Sequence, residues 1–363
     1  MKILVDARSL GSKPSGIGIY IYNFVKQLAK YEDVEISLVT DVAVSGEMQK
    51  LSGMEGIALY TYGRVIDKSL GLFSYYKFVQ KVIHKVQPDI FWEGNNLVPI
   101  RIKNPYGKFM TTVHDMFPIY MPDCYGKVYP YYFRYGMKKT VRQVDAIIYN
   151  SEETKKETEA YFPKAKNVKS FLSYIVVDCK QQTATADQDY LLYIGNLERR
   201  KGTDILLNAY REYREKGGQR KLILAGKFRE NDIEEMYRQL AEEIDGVEYV
   251  GYADEDLKDK LLAECSCFVF PSRAEGFGIP VVEALIYGKP VLASKLSIFD
   301  EIVGDVVEYV ECSEDEAIEK WAQNMLQMDE KKYIVPYENP YSAEILGEEL
   351  YKFFMESTNN ECI

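Results

Sequence analysis

The chain has 363 residues, 47% of them hydrophobic and 28% charged, with a mean hydropathy of −0.27; this excludes a disordered segment and a bundle of membrane-spanning helices. No apolar run approaches the roughly 20 residues of a spanning helix, and the opening MKILVDA meets polar residues too soon for a secretory leader, so a cytoplasmic protein is expected. The net charge of −11 is uneven: residues 1–178 hold 24 Lys and Arg against 18 Asp and Glu, about +6, and the remainder carries about −17, which argues against nucleic acid and leaves the basic half to an anionic acceptor, a membrane surface or plain solvation.

At roughly 100–200 residues per domain, the length predicts two domains with a cleft between them. The six cysteines, Cys124, Cys179, Cys265, Cys267, Cys312 and Cys362, form no CxxC pair, and His84 and His114 are the only histidines. Reduced thiols and no bound metal are expected. Cys265 and Cys267 alternate across a strand and read as buried packing.

The predicted elements alternate strand and helix from the start. KILVDA is a strand, and the glycine-bearing RSLGSKPSGIG leads into an amphipathic helix. Gly11-x4-Gly16 lacks the Lys-Ser/Thr of a P-loop, and Gly16-x-Gly18 lacks the third glycine of a dinucleotide fingerprint. A tight turn and a ligand-facing backbone both fit these glycines. VEISLVT, PDIFWE, KFMTTVHD and DAIIYNS continue the strand series. His114, closing KFMTTVHD, reads as a neutral imidazole that bonds a hydroxyl or as a strand-end histidine beside Asp115. YGKVYPYYFRYGMKKTVRQ then interleaves aromatics with Lys127, Arg134, Lys138, Lys139 and Arg142. A membrane interface, an anionic-acceptor face and a helix packed through its aromatics all suit that pattern.

The polar stretch near Cys179–Gln188 lacks apolar periodicity and reads as an interdomain linker. Beyond it come the strands DYLLYIGN, KLILAGK, VEYVGY, CFVFPS and PVLASK, so each half is expected to be a doubly wound parallel sheet. LERRKG follows the first of these with three consecutive cations, Arg199, Arg200 and Lys201, before a helix from Thr203. Cations there suit a leaving diphosphate. In FPSRAEGFGIPVVEALIYGKPVLAS, Glu275 and Gly276-Phe277-Gly278 form a loop at the carboxyl edge of the sheet, Pro280 suits the first helical turn, and Gly288 suits the helix end. The helix N-terminus suits a diphosphate, and the carboxylates of Glu275 and Glu283 suit hydroxyls on either side of it. A nucleotide sugar has that layout. NPYSAEILGEELYKFFMES closes the chain as an amphipathic helix with Ser342 as its cap and Ile345, Leu346, Leu350, Phe353 and Phe354 at helical spacing.

EGFGIPVVEA resembles, almost letter for letter, the Glu-x7-Glu signature of the retaining family 4 glycosyltransferases, and the resemblance extends over nearly the whole chain. It implies the GT-B fold, with two Rossmann-like domains facing across a cleft: residues 1–178 on the acceptor side, 179–340 on the donor side, and a C-terminal helix in 341–363 crossing back to the N-terminal domain. By the same resemblance Glu283 holds the nucleotide ribose, Glu275 meets donor-sugar hydroxyls, and the amides of Gly276, Phe277 and Gly278 face sugar and diphosphate. Arg200 and Lys201 match the diphosphate clamp, with Arg199 as the alternative arginine. Gly16 and Gly18 match the loop over the donor phosphates, and His114 faces the donor sugar. Two departures are Asn196, where many relatives place arginine after the strand glycine, and Ala343, where tryptophan is common.

The implied reaction is retaining transfer of a hexose from a GDP- or UDP-linked donor to a saccharide or lipid-linked saccharide, without metal or cofactor, the leaving diphosphate accepting the proton of the incoming hydroxyl. GNLERRKG resembles mannosyltransferase-like members, which points to cell-surface polysaccharide or lipopolysaccharide synthesis; peripheral contact of the N-terminal domain at the inner membrane face stays one of the readings open to its basic, aromatic segment. A glycoside hydrolase using Glu275 and Glu283 leaves the basic turn without a role. The remaining rivals are a nucleotide-sugar epimerase and a non-catalytic nucleotide-sugar binder on the same fold.

Overall fold

The computed structural model describes residues 1–11, 16–42, 45–66, 69–98, 102–179, 188–311, 313–329 and 335–358, without the side chains of 69, 70 and 124. Cys312, Cys362, linker residues 180–187 and the Cys124 side chain therefore lie outside the described residues, whereas Cys179, Cys265 and Cys267 are free thiols. The chain divides into two compact units, Met1–Val176 with Tyr341–Ile363, and Val177–Pro340.

The first unit holds a seven-stranded sheet of β1 (Lys2–Asp6), β2 (Glu35–Thr40), β3 (Ile57–Thr61), β4 (Ile90–Glu93), β5 (Lys108–Val113), β6 (Ala146–Tyr149) and β7 (Lys169–Leu172), in the order β3-β2-β1-β4-β5-β6-β7. Every pairing is parallel. Its helices are α1 (Gly16–Leu28), α2 (Gly46–Ser52), α3 (Ser69–Val86), α4 (Phe117–Tyr120), α5 (Tyr129–Gln143) and α6 (Glu152–Tyr161). Strands covered on both faces need continuous apolar runs, which β1, β4 and β6 supply. The edge strands β3 and β7 are only partly buried, and neither stood out as a strand from its sequence.

The second unit is a six-stranded parallel sheet of β8 (Tyr190–Ile194), β9 (Lys221–Ala225), β10 (Val247–Gly251), β11 (Cys267–Phe270), β12 (Val291–Ser294) and β13 (Glu308–Val310), in the order β10-β9-β8-β11-β12-β13. Its helices are α7 (Thr203–Glu215), α8 (Asn231–Glu243), α9 (Glu255–Glu264), α10 (Ile279–Ile286), α11 (Ser297–Ile302) and α12 (Ala317–Asp329). In each sheet the strand order reverses once, between β1 and β4 and between β8 and β11, and ligands of open α/β sheets bind beyond the carboxyl ends at that reversal.

The last helix, α13 (Ala343–Thr358), belongs to the first unit. Ser342 Oγ accepts from the Ile345 amide at 3.4 Å, and the buried Leu346, Leu350, Phe353 and Phe354 face the unit's core. Phe354 meets Trp92 edge-on at 5.8 Å, Phe353 stacks on Phe171 at 4.5 Å, and Tyr351 stacks on Tyr31 at 3.8 Å. Ile345, expected on the apolar stripe, is instead exposed, because the buried face is centred one position later.

Candidate functional site

At the reversal in the second sheet, β8 ends at Ile194 and the chain makes a 3-10 turn over Arg199–Lys201 before Gly202, the N-cap position of α7. Gly202 has φ +69°, and a Cβ there would lie 1.8 Å from the Pro271 carbonyl oxygen at the end of β11. Only glycine permits this approach, which joins the basic turn to the acidic loop. The Arg273 amide donates to the Arg200 carbonyl at 2.9 Å, fixing the same junction.

The three cations of the turn diverge. Lys201 Nζ donates to both oxygens of Glu275, at 2.6 and 2.7 Å, with the lysine side chain 15% and the glutamate 7% exposed. Arg200 donates to the Ala274 carbonyl at 3.1 Å and to Glu198 Oε1 at 2.7 Å, and so lies along the acidic loop. Arg199, 52% exposed, turns away to Asp204, Glu230 and Asp232. Gly278 has φ +91° and packs where a Cβ would sit 2.3 Å from the Phe299 ring; Phe277 beside it is buried. α10 begins at Ile279 with Pro280 in its first turn, and Gly288 follows its end with φ +68°.

Glu283 is buried on α10, and Lys258 Nζ donates to its Oε1 at 2.6 Å. Burial pushes the Glu283 carboxyl up, against the pull of Lys258. Glu275 and Glu283 are thus each held by a lysine from another element. Lys258 went unread in the sequence because α9 presents it in an ordinary charged run.

In the first unit, Gly16 and Gly18 fall within the first turn of α1, and not in a loop before it; residues 12–15 lie outside the described residues. A Cβ on Gly16 would meet nothing within 4 Å, so packing does not demand glycine there. His114 is buried at the end of β5, edge-on to Tyr20 at 5.0 Å. Its Nε2 lies 2.8 Å from the Gly94 carbonyl, which only accepts, so Nε2 carries the proton. Burial holds the ring neutral, with its pKa lowered to about 4.

A cluster not anticipated from the sequence lies at the reversal of this sheet, where Asp6 of β1 is in register with Glu93 of β4. Arg8 Nε donates to both Asp6 oxygens at 3.0 Å, Tyr75 donates to Asp6 at 3.3 Å, and Arg8 covers the Tyr75 ring at 4.7 Å. Burial, then Asp6, pushes the Glu93 carboxyl well up. An acidic residue ending a buried strand was the available signal; the pairing itself required the sheet order.

On α5, Phe133, Gly136, Met137, Thr140 and Val141 are buried, whereas Tyr129, Tyr131, Tyr132 and Tyr135 are exposed. The helix is therefore not packed through its tyrosines. Among the described residues, no group of three or more His, Cys, Asp or Glu is placed to hold a metal ion, and no helix is long and apolar enough to cross a membrane.

Two parallel-sheet units give the chain the GT-B fold, and in the second a basic turn is clasped to a glutamate-glycine loop at the strand-order reversal. Residues 14–169 match the model for glycosyltransferase family 4, and residues 178–337 match that for glycosyl transferases group 1. The chain belongs to this glycosyltransferase family. Over 353 residues it is 26% identical to O-antigen chain mannosyltransferase B of Escherichia coli, with 91% of each chain covered. It is 20% identical to O-antigen chain mannosyltransferase RfbU of Salmonella typhimurium, over 95% of this chain and 98% of that one. In fold it resembles the pneumococcal O-GlcNAc transferase GtfA in complex with UDP and GlcNAc (TM-score 0.74, 11% identity, 99% of both chains). It likewise resembles Anabaena HepE in complex with UDP-glucose (TM-score 0.66, 16% identity, 98% of both chains).

Proposed function

We propose that this glycosyltransferase moves a hexose, with retention, from a GDP- or UDP-linked donor to a saccharide or lipid-linked saccharide in the assembly of a cell-surface polysaccharide or lipopolysaccharide. The observation that carries this reading is the clasp of Lys201 on Glu275 beside Arg200, which puts fixed positive charge next to a hydroxyl-accepting carboxylate at a ligand-binding sheet edge. The O-antigen mannosyltransferases among the relatives support the hexose and the pathway class. The neighbour holding UDP-glucose supports the nucleotide-linked donor.

In this reading Arg200, Lys201 and the amides of Gly276, Phe277 and Gly278 stabilise the diphosphate as the bond from the sugar's anomeric carbon to its oxygen breaks. The acceptor oxygen bonds that carbon on the same face, and its proton passes to the departing diphosphate. Glu275 orients the sugar hydroxyls and Glu283 the ribose. His114, in the first unit, has an unprotonated Nδ1 able to accept from a sugar hydroxyl, and the family resemblance assigns Gly16 and Gly18 to the donor phosphates. The fixed cations do the work a metal would otherwise do, so the reaction needs none.

The same reading places the enzyme in the cytoplasm with α5 against the inner membrane face. Residues 124–144 contain no Asp or Glu but include Lys127, Arg134, Lys138, Lys139 and Arg142, interleaved with exposed tyrosines, which suits anionic headgroups.

The test is a thermal-shift screen against nucleotide sugars, followed by turnover and NMR of the product's anomeric configuration. A stabilising donor and a retained anomer are expected. An isomerised donor, saturable binding without turnover with any acceptor, or glycoside hydrolysis would each overturn the assignment.

A further inference from the structure

Glu283 sits in a pocket of charge supplied mainly by another helix. Lys258, in the first turn of α9, reaches its Oε1 at 2.6 Å and Glu255 at 3.2 Å. The backbone of Lys258 is pinned there, since its amide donates to the Asp254 carbonyl at 2.8 Å and Asp254 caps the helix through the Leu257 amide at 2.9 Å. Besides Lys258, the titratable groups around Glu283 are Glu255 and Asp259 on α9, the Cys179 thiol and Tyr287. Burial, then Glu283, pushes Cys179 up to about 12, and burial, then Asp259, also raises Tyr287, so both stay neutral near pH 7. Lys258 is therefore the one cation among these groups, facing two further carboxylates that work against ionising Glu283.

A buried carboxyl without a cation reverts to the neutral acid. In that form it has lost acceptor capacity and carries a proton that competes with a ligand hydroxyl. Oε1 is occupied by Lys258, while Oε2 hydrogen-bonds no described residue.

We infer that Lys258 is a positioning residue for the donor nucleotide: it keeps the Glu283 carboxylate ionised and fixed through Oε1, leaving Oε2 to accept from a ribose hydroxyl. This rests on the reading of Glu283 as the ribose ligand. Lys258 touches no reacting atom, and its effect passes through Glu283 alone.

Calorimetric titration of the full chain with UDP, GDP, ADP, CDP and dTDP identifies the nucleotide bound most tightly, and the variants are then compared with that nucleotide at pH 6 to 9. Lys258→Met is expected to weaken binding about tenfold near pH 7, with the deficit against the parent narrowing as pH rises and Glu283 ionises without its cation. Lys258→Gln, the second variant, should show the same narrowing, and Lys258→Arg should follow the parent at every pH. Loss of equal size at all pH values, or no loss, overturns the inference, because a purely structural role predicts no narrowing. Glu283→Ala separates the two levels. If it binds the nucleotide as the parent does, or if the parent binds none of the five, the ribose assignment itself fails.

Discussion

Lys201 clasps both carboxylate oxygens of Glu275, a residue 74 positions further along the chain, with each partner largely hidden from solvent. The pair forms because two loops leave neighbouring strands at one reversal of strand order. If the donor diphosphate binds there as proposed, it competes for Lys201 and leaves Glu275 available to sugar hydroxyls.

Lys201→Met should therefore lower turnover by roughly 10²–10³-fold, the scale of losing one charge-stabilising donor. It should also lower the melting temperature, since Glu275 is left buried without its cation. The double variant Lys201→Met/Glu275→Gln should regain stability without regaining turnover. Initial rates and thermal melts check both; a Lys201→Met enzyme at parental rate contradicts the clamp.

Gly202→Ala tests the junction itself. The added Cβ meets the Pro271 carbonyl at 1.8 Å and φ +69° is strained for alanine, so a loss of roughly 2 kcal/mol or more is expected in urea unfolding. Gly16→Ala, where a Cβ meets nothing within 4 Å, should leave stability near the parent's.

The buried titratable groups of the first unit predict opposite pH slopes. His114 has its folded pKa lowered to about 4 from 6.5, so the unfolded chain binds the extra proton in that interval. Stability from this residue is complete above about pH 6.5 and falls by roughly 3 kcal/mol as pH drops towards 4. His114→Gln should flatten that acid slope. Glu93 is raised above its usual 4.5, so its favourable neutral form is present at low pH and lost as pH rises through the folded value. Glu93→Gln should therefore gain on the parent as pH rises above about 4.5, measured by chemical unfolding at stepped pH.

For α5, sedimentation with vesicles of anionic lipid should recover the parent, and binding should weaken with salt. Replacing Lys138 and Lys139 with glutamate should weaken it by about 1 kcal/mol or more per residue, and Tyr131→Ser should weaken it with little change in salt dependence. Equal recovery on neutral and anionic vesicles, or none on either, contradicts the assignment.

The alternation of buried strands and amphipathic helices is legible along the chain because those periodicities are local, and the acidic loop and basic turn are legible because their glycines, Pro280 and neighbouring charges sit within short segments. Tertiary structure decided which charges meet. Lys201 finds Glu275, Lys258 finds Glu283, and Asp6 lies beside Glu93 only once the order of parallel strands is set. The partly buried edge strands β3, β7 and β13 did not stand out, whereas the equally partly buried edge strand β10 did, as VEYVGY. Arg199 and Arg200 are adjacent and chemically alike; one turns to α8 and the other to the acidic loop, a choice made by the geometry of a single 3-10 turn.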